Sequence, residues 1–475
     1  MRDLLRRQWR ELRLNLRPRE LAYWLVQNLL LLIFRFTMRV QLFGGEHYAP
    51  PAPATLLLSN HKRDWDPLLC AISLYYQRGW WRPDGRRMAF VGREDMFTRG
   101  FLAEIAGYRE WPLWTKRLLD HTTLTRIIGP LRAYPIVRFL EFSLRQYLFE
   151  LYREQGDLPL VALFSDDFLD QLDRWAEIVA RRSRRFKPRP SRELHVSDIL
   201  TWHYRERLMD RLRRGYLLPE PYEAYKARQR AKIARQVRAL AGALAAGDSL
   251  WLAPEGMITQ DGAPRRVRDG LHALLDLLPP GVRILPISVT YDFMTTDRMR
   301  ACVSVGPPLE GLAGLARAEV GQRVMAAITR QTVATMSMIG SRFLWNRLQA
   351  GQPTFDLHTA SSAVAQDVQL LTERGALIER GLRDEHQMRK RLRAFLAYSL
   401  RHGLISRTPN EAYQINPAPF QQQRDTFFWL NPRYCVNELV ALEDALASAL
   451  LVGRNRYADQ SAPPAAGHAH QPQSS

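Results

Sequence analysis

The chain has 475 residues, 46% hydrophobic and 24% charged, enough length for two or three domains and enough apolar content for a large core. Its 68 Lys and Arg against 48 Asp and Glu give a net charge of +20, which favours partners rich in negative charge: an anionic membrane, phosphorylated small molecules or nucleic acid. Three cysteines, Cys70, Cys302 and Cys435, argue against a disulfide framework and suit a reducing compartment, and with no zinc-type Cys/His spacing no metal site is expected.

Residues 1–43 read as an amphipathic segment for a membrane interface. An Arg-rich lead-in precedes Ala22, Tyr23, Trp24, Leu25, Leu29, Leu30, Leu32, Ile33, Phe34 and Phe36, which suits a helix lying flat with its aromatics at headgroup level. The apolar run Leu21 to Phe34 is 14 residues long and contains Gln27 and Asn28, short of the roughly 18 residues a spanning helix needs. The expected location is the cytoplasmic face of the cell membrane, peripheral or monotopic, although an ordinary packing helix accounts for the same pattern.

From residue 44 to about 310, short apolar runs bounded by turn residues predict strands at Thr55–Ser59, Met88–Gly92, Arg132–Val137, Ser249–Ala253, Ile284–Tyr291 and Ala301–Val305. Helix-period segments lie between them, including Ile136–Glu154 and Glu223–Ala246, the latter stopped by Gly247. This alternation predicts an α/β fold, a mostly parallel sheet flanked by helices. A basic insertion at about 157–222, centred on Arg174–Arg214 with Pro188 and Pro190, is expected to be helical or irregular. After residue 310 the strand signals stop. Helical patterns at Leu315–Met338, Ser361–Arg380, Asp384–His402 and Tyr434–Leu451 predict a separate helical region over 311–457, followed by a disordered tail, 458–475.

Four stretches can carry chemistry. In Leu56–Leu69, LLLSNHKRDWDPLL, a buried strand runs into a polar turn holding Asn60, His61 and Asp66. A His at a strand tip is held rigidly toward an open crevice, and a nearby carboxylate can fix its tautomer and stabilise the imidazolium. Asp66 before Pro67 also has the signature of a helix N-cap. In Leu250–Gly262, LWLAPEGMITQDG, Glu255 follows a strand and Gly256 permits close backbone approach; a plain strand-to-loop turn explains the same residues. Downstream, Arg265, Arg266 and Arg268 before Gly270 offer either a phosphate contact or a solvated basic face. GPLRAYPIVR places Arg138 just after a strand, and ILPISVTY is an apolar strand interrupted by Pro286, which suits an edge or bulge better than a central ladder.

In this order, NHKRDWD at Asn60–Asp66, AYPIVR ending at Arg138, PEG at Pro254–Gly256 and LPISV around Pro286 resemble the four blocks of the phospholipid/glycerol acyltransferase superfamily over about residues 40–310. The resemblance implies that His61 is the general base on an acceptor hydroxyl, that Asp66 orients it, and that Asn60, Arg138, Glu255 and Gly256 belong to the substrate-binding blocks. It also implies acyl-coenzyme A or acyl carrier protein as donor, with no cofactor, metal or covalent intermediate. Many members that acylate lysophosphatidic acid have Thr-Arg after the Glu-Gly pair; Met257 and Ile258 stand here, so Arg265, Arg266 or Arg268 is the expected phosphate contact. A weaker likeness of Ala397–Ile405 and Thr426–Asn431 to the helical region of large glycerol-3-phosphate acyltransferases keeps glycerol-3-phosphate as an alternative acceptor.

The expected activity is therefore transfer of a fatty acyl group from a thioester to a glycerol phosphate or lysophospholipid, lysophosphatidic acid favoured, at an anionic membrane surface. Another amphiphilic acceptor is the alternative within this class. A basic nucleic-acid-binding protein is the alternative of a different class, but no helix-turn-helix, zinc-finger or RNA-binding motif supports it, and no nucleic-acid partner is expected.

Overall fold

The computed structural model describes residues 18–48, 54–75, 88–97, 132–136, 143–182, 186–208, 210, 212–421 and 431–460. Helix α1 (Pro18–Thr37) leads through Met38 into strand β1 (Arg39–Phe43). Leu25, Leu29, Leu32 and Phe36, at i, i+4, i+7 and i+11, form an exposed apolar stripe on α1, whereas Gln27 and Phe34 are buried. A packing helix would turn its leucines inward; here the leucines face out and a glutamine faces in. No helix among the described residues is long and apolar enough to cross a membrane. The expected membrane segment 1–43 thus ends in a sheet strand, which its weak alternation did not signal, because β1 gains its place by pairing rather than by burying one face. Residues 1–17 lie outside the described residues.

The chain continues through β2 (Thr55–Ser59), α2 (Asp66–Tyr75), β3 (Met88–Arg93), β4 (Ala133–Ile136), α3 (Leu144–Gln155), α4 (Asp166–Arg182), α5 (Pro219–Ala245), β5 (Ser249–Leu252), α6 (Asp269–Leu275), β6 (Arg283–Asp292) and β7 (Arg300–Val305). The strands form a seven-stranded mixed sheet in the order β1-β7-β6-β2-β5-β3-β4. β6, β2, β5 and β3 run parallel, β7 is antiparallel to β6, and β1 is parallel to β7. Leu56, Leu57 and Leu58 are fully buried, as expected for an inner parallel strand covered on both faces.

Pro286 lies inside the sheet on β6, opposite Leu58, and not at an edge. A residue's N and C=O point to the same side of a strand, and the Pro286 carbonyl accepts from Gly306 N–H at 2.8 Å. The β6–β7 register begins one residue later at Ile287↔Val305, so the missing donor falls where that ladder ends and the β2 side loses nothing.

The chain divides into two compact units, residues 1–90 with 243–475, and residues 91–242. In the second, α3 starts at a capping box, with Ser143 Oγ accepting from Gln146 N–H and the Gln146 side chain accepting from Ser143 N–H. The basic insertion expected at about 157–222 sits in this unit and shares an apolar core with α3 and α5, to which Leu148, Phe164, Phe168, Leu172, Ile199 and Tyr225 contribute. Its charges lie outward: exposed Arg192 pairs with Asp166 and Asp170 at 3.0 and 2.9 Å.

The C-terminal helices belong to the same compact unit as β1, β2, β5, β6 and β7 and are not a separate region. Asp384–His402 and Tyr434–Leu451 form unbroken helices, whereas the other two expected patterns are interrupted by short strands. Leu315–Met338 is α7 (Arg317–Arg330), then β8 (Val333–Ala334), then α8 (Met336–Gln349). After β9 (Thr354–Phe355), Ser361–Arg380 resolves into α9 (Leu357–Glu373) and β10 (Leu377–Ile378), which pairs with β8. α10 (Glu385–Arg401) begins at Asp384, whose carboxylate accepts from Gln387 N–H, and is followed by β11 (Ile405–Arg407) and β12 (Tyr413–Ile415). β9, β11 and β12 form a small antiparallel sheet. Strands of two or three residues are too short to leave a period-2 signal. The last helix, α11 (Pro432–Gln460), runs past residue 458, where the tail was expected to begin; residues 461–475 lie outside the described residues.

Candidate active site

β2 and β5 are parallel neighbours in the register Leu58↔Leu252, so the loops after them, NHKRDWD and APEG, leave the sheet at one edge. The tip of a parallel sheet is the open end on which substrates are held. Asn60 continues the zipper with β6: its Oδ1 accepts from Val289 N–H at 2.8 Å, and its Nδ2 donates to Val289 C=O at 3.1 Å and Ser288 Oγ at 3.2 Å. The amide expected to bind substrate is therefore taken up in fixing where the strand ends.

The chain then bends so that His61 Nδ1 lies 3.2 Å from Asp66 Oδ2. The same oxygen accepts the Lys62 and Arg63 amides at 2.6 and 2.8 Å, and Asp66 Oδ1 accepts the Tyr291 hydroxyl at 2.5 Å. Asp66 is fully buried. It is not the N-cap of α2: the first i→i−4 bond runs from Leu69 N–H to Trp65 C=O, making Trp65 the cap and Asp66 the first helical residue. Its carboxylate reaches back into the preceding turn, which lets residues five apart meet. With Nδ1–H donated to Asp66, the basic nitrogen of His61 is Nε2. The ring packs edge-on to Trp251 of β5, centroids 5.6 Å apart.

The PEG loop is tied to the same turn. Thr259 donates its amide and hydroxyl to His61 C=O at 3.0 and 3.2 Å. Glu255 is 1% exposed, and its Oε2 accepts Arg265 N–H at 2.8 Å; burial pushes its pKa up to about 7, opposed by that amide and by the charge of Lys62. Gly256 has φ +70°, and a Cβ there would stand 3.2 Å from Arg268 Cγ, so the glycine serves both turn and close approach. Arg268 Nε donates to Glu255 C=O at 3.2 Å, Arg265 pairs with Asp261 at 2.9 Å, and Arg265, Arg266 and Arg268 are all exposed.

The structure thus brings together His61 and Asp66, and ties their turn to the loop of Glu255 and Gly256 beside a basic stretch. Arg138 lies outside the described residues. Sequence reasoning missed Tyr291, Thr259, Lys62 and Glu438. Tyr291 closes ILPISVTY and Thr259 lies within LWLAPEGMITQDG, both already singled out, and Lys62 lies within the motif; Glu438 carried no signal, being an ordinary helix-face acid until tertiary packing buries it. Among the described residues, no group of three or more His, Cys, Asp and Glu side chains is placed to hold a metal ion. A scan against models of known protein families finds no match, and a search of curated proteins likewise finds none.

Proposed function

We propose that the protein is a membrane-surface O-acyltransferase that moves a fatty acyl group from a coenzyme A or acyl carrier protein thioester to a hydroxyl of a glycerol phosphate or lysophospholipid, lysophosphatidic acid first among them. The observation that carries this reading is the His61–Asp66 pair at the tip of β2, with one ring nitrogen held by a buried carboxylate and the ring 12% exposed. In this reading, Nε2 takes the proton as the hydroxyl oxygen attacks the thioester carbonyl; the tetrahedral intermediate collapses by breaking the C–S bond, and the imidazolium returns the proton to the departing thiolate. General-base catalysis of this kind contributes about 10² to 10⁴-fold. Exposed Arg265, Arg266 and Arg268 are the candidates for the acceptor's phosphate.

The membrane location draws its support from the outward leucines of α1. Thr37 ends that helix, and Arg39 pairs with Arg300 opposite the end of β6, at the same end of the sheet as His61. Glycerol-3-phosphate is the second acceptor to test, since Met257 and Ile258 replace the Thr-Arg expected for lysophosphatidic acid. Labelled acyl-coenzyme A and acyl carrier protein, offered with each acceptor in turn, test the proposal. Transfer by the wild type that drops at least about a hundredfold in His61→Ala is the expected outcome. A folded, vesicle-bound wild type that acylates neither acceptor refutes the substrate assignment.

A further inference from the structure

Helix α11 passes behind both site loops within the first compact unit. Glu438 forms an ion pair with Lys62, and the two are 6% and 3% exposed. One helix position earlier, Asn437 Nδ2 donates to Asp261 C=O at 2.9 Å. Lys62, Glu438, Glu255 and Thr259 share a cavity of about 30 Å³, room for about one water. The two ends of Lys62 act in different directions: its ammonium meets α11, while its amide donates to Asp66 Oδ2 at 2.6 Å. Burial lowers the Lys62 pKa to about 7 against the opposing charges of Asp66 and Glu255, so the ammonium depends on counter-charges.

We propose that the Lys62–Glu438 ion pair is the device by which α11 fixes the turn whose amides hold Asp66 against His61, making Lys62 and Glu438 positioning residues. The proposal rests on the reading of His61 and Asp66 as base and orienter. A buried pair of this kind is a poor source of net stability, because desolvating both charges offsets their attraction. Its effect is geometric. The pair anchors the start of a four-residue turn whose other anchor is Arg63, its guanidinium 4.2 Å from the Phe293 ring centroid and 5.2 Å from that of Tyr291; Asp64 and Trp65 are exposed.

The test uses the full chain. Removing one partner strands a buried charge and can unfold the protein, so both are exchanged together: Lys62→Met with Glu438→Leu removes the charges at similar volume, and Lys62→Arg with Glu438→Asp keeps them. Hydrogen–deuterium exchange at the Lys62 and Arg63 amides is the first readout. It should quicken about tenfold in the apolar pair, stay unchanged at Leu56–Leu58, and return toward wild type in the charged pair. In acyl transfer, kcat should fall about tenfold with the acceptor KM held within about twofold. Unchanged exchange at Lys62 and Arg63, or quickened exchange with undiminished kcat, overturns the proposal. If exchange responds as expected but the wild type transfers no acyl group, the positioning role stands and the acyltransferase reading is what fails.

Discussion

Asp66 meets the His61 ring, two backbone amides and the Tyr291 hydroxyl with its two oxygens. A carboxylate offers about four lone-pair positions, so this one has no spare rotamer, and the imidazole it holds has one tautomer to adopt. Glu255 is handled differently, since its pKa is raised by burial to about 7 from an ordinary 4.5. A carboxyl with a folded pKa above its unfolded one favours the folded state fully below about 4.5 and loses that contribution as pH rises through about 7. Glu255→Gln keeps an acceptor for the Arg265 amide and removes the titration. The wild-type Tm minus that of Glu255→Gln should therefore decline between pH 4.5 and 7, as read by thermal unfolding across that range. A difference that does not change with pH would show that Glu255 is not a buried titrating carboxyl.

At the scale of elements, the two loops after β2 and β5 owe their shape to neighbours distant in sequence. Gly262 has φ +80°, and a Cβ there would stand 2.2 Å from the Tyr434 carbonyl oxygen of α11. Gly156, after α3, has φ +85° with nothing within 4 Å. The two glycines share a positive φ and differ in close approach, so their contrast isolates the cost of close approach. Gly156→Ala, at φ +85° and ψ −161°, should destabilise by about 1–3 kcal/mol, the backbone cost alone. Gly262→Ala should cost about 3 kcal/mol or more, because backbone cannot yield as a flexible side chain can. Urea unfolding of the two variants checks this; equal losses would mean that α11 moves aside readily, which would also weaken its role in fixing the site.

At the scale of the whole molecule, buried charges tie the C-terminal helices to the sheet. Arg391 of α10 pairs with Asp292 at the end of β6, and Glu379 pairs with Arg300 of β7 at 3.0 Å. Burial pushes Glu379 up to about 7 and brings Arg391 down to about 10. The N-terminal end is joined as firmly, since α1 runs directly into β1, so deleting residues 1–43 would remove an edge strand along with the apolar stripe. Point substitutions separate the two. Leu29→Asp with Phe36→Asp, both at exposed positions, should leave the fold intact and lower partition onto anionic vesicles at least about a hundredfold in sedimentation, at about 1.5–3 kcal/mol for each side chain withdrawn from lipid. Undiminished sedimentation would assign the stripe to another partner.

The sequence by itself determined the central strands and the dyad. Runs such as TLLLS and SLWL are apolar at their centres and buried at every residue, and an inner parallel strand is covered on both faces, so local composition and burial agree. Asn60, His61 and Asp66 lie within seven residues, so the turn that joins them is local, and Glu255 and Gly256 follow a strand that composition alone marks. Only the tertiary structure decided the rest. β1 and the strands after residue 310 are too short or too weakly patterned to be read locally. Pro286 is tolerated centrally because a partner ladder ends beside it. Lys62, Glu438, Asp292, Glu379 and Arg391 read as solvent-facing charges until segments far apart in the sequence bury them against one another, since the burial of a charge depends on its neighbours in space and not on its neighbours in sequence.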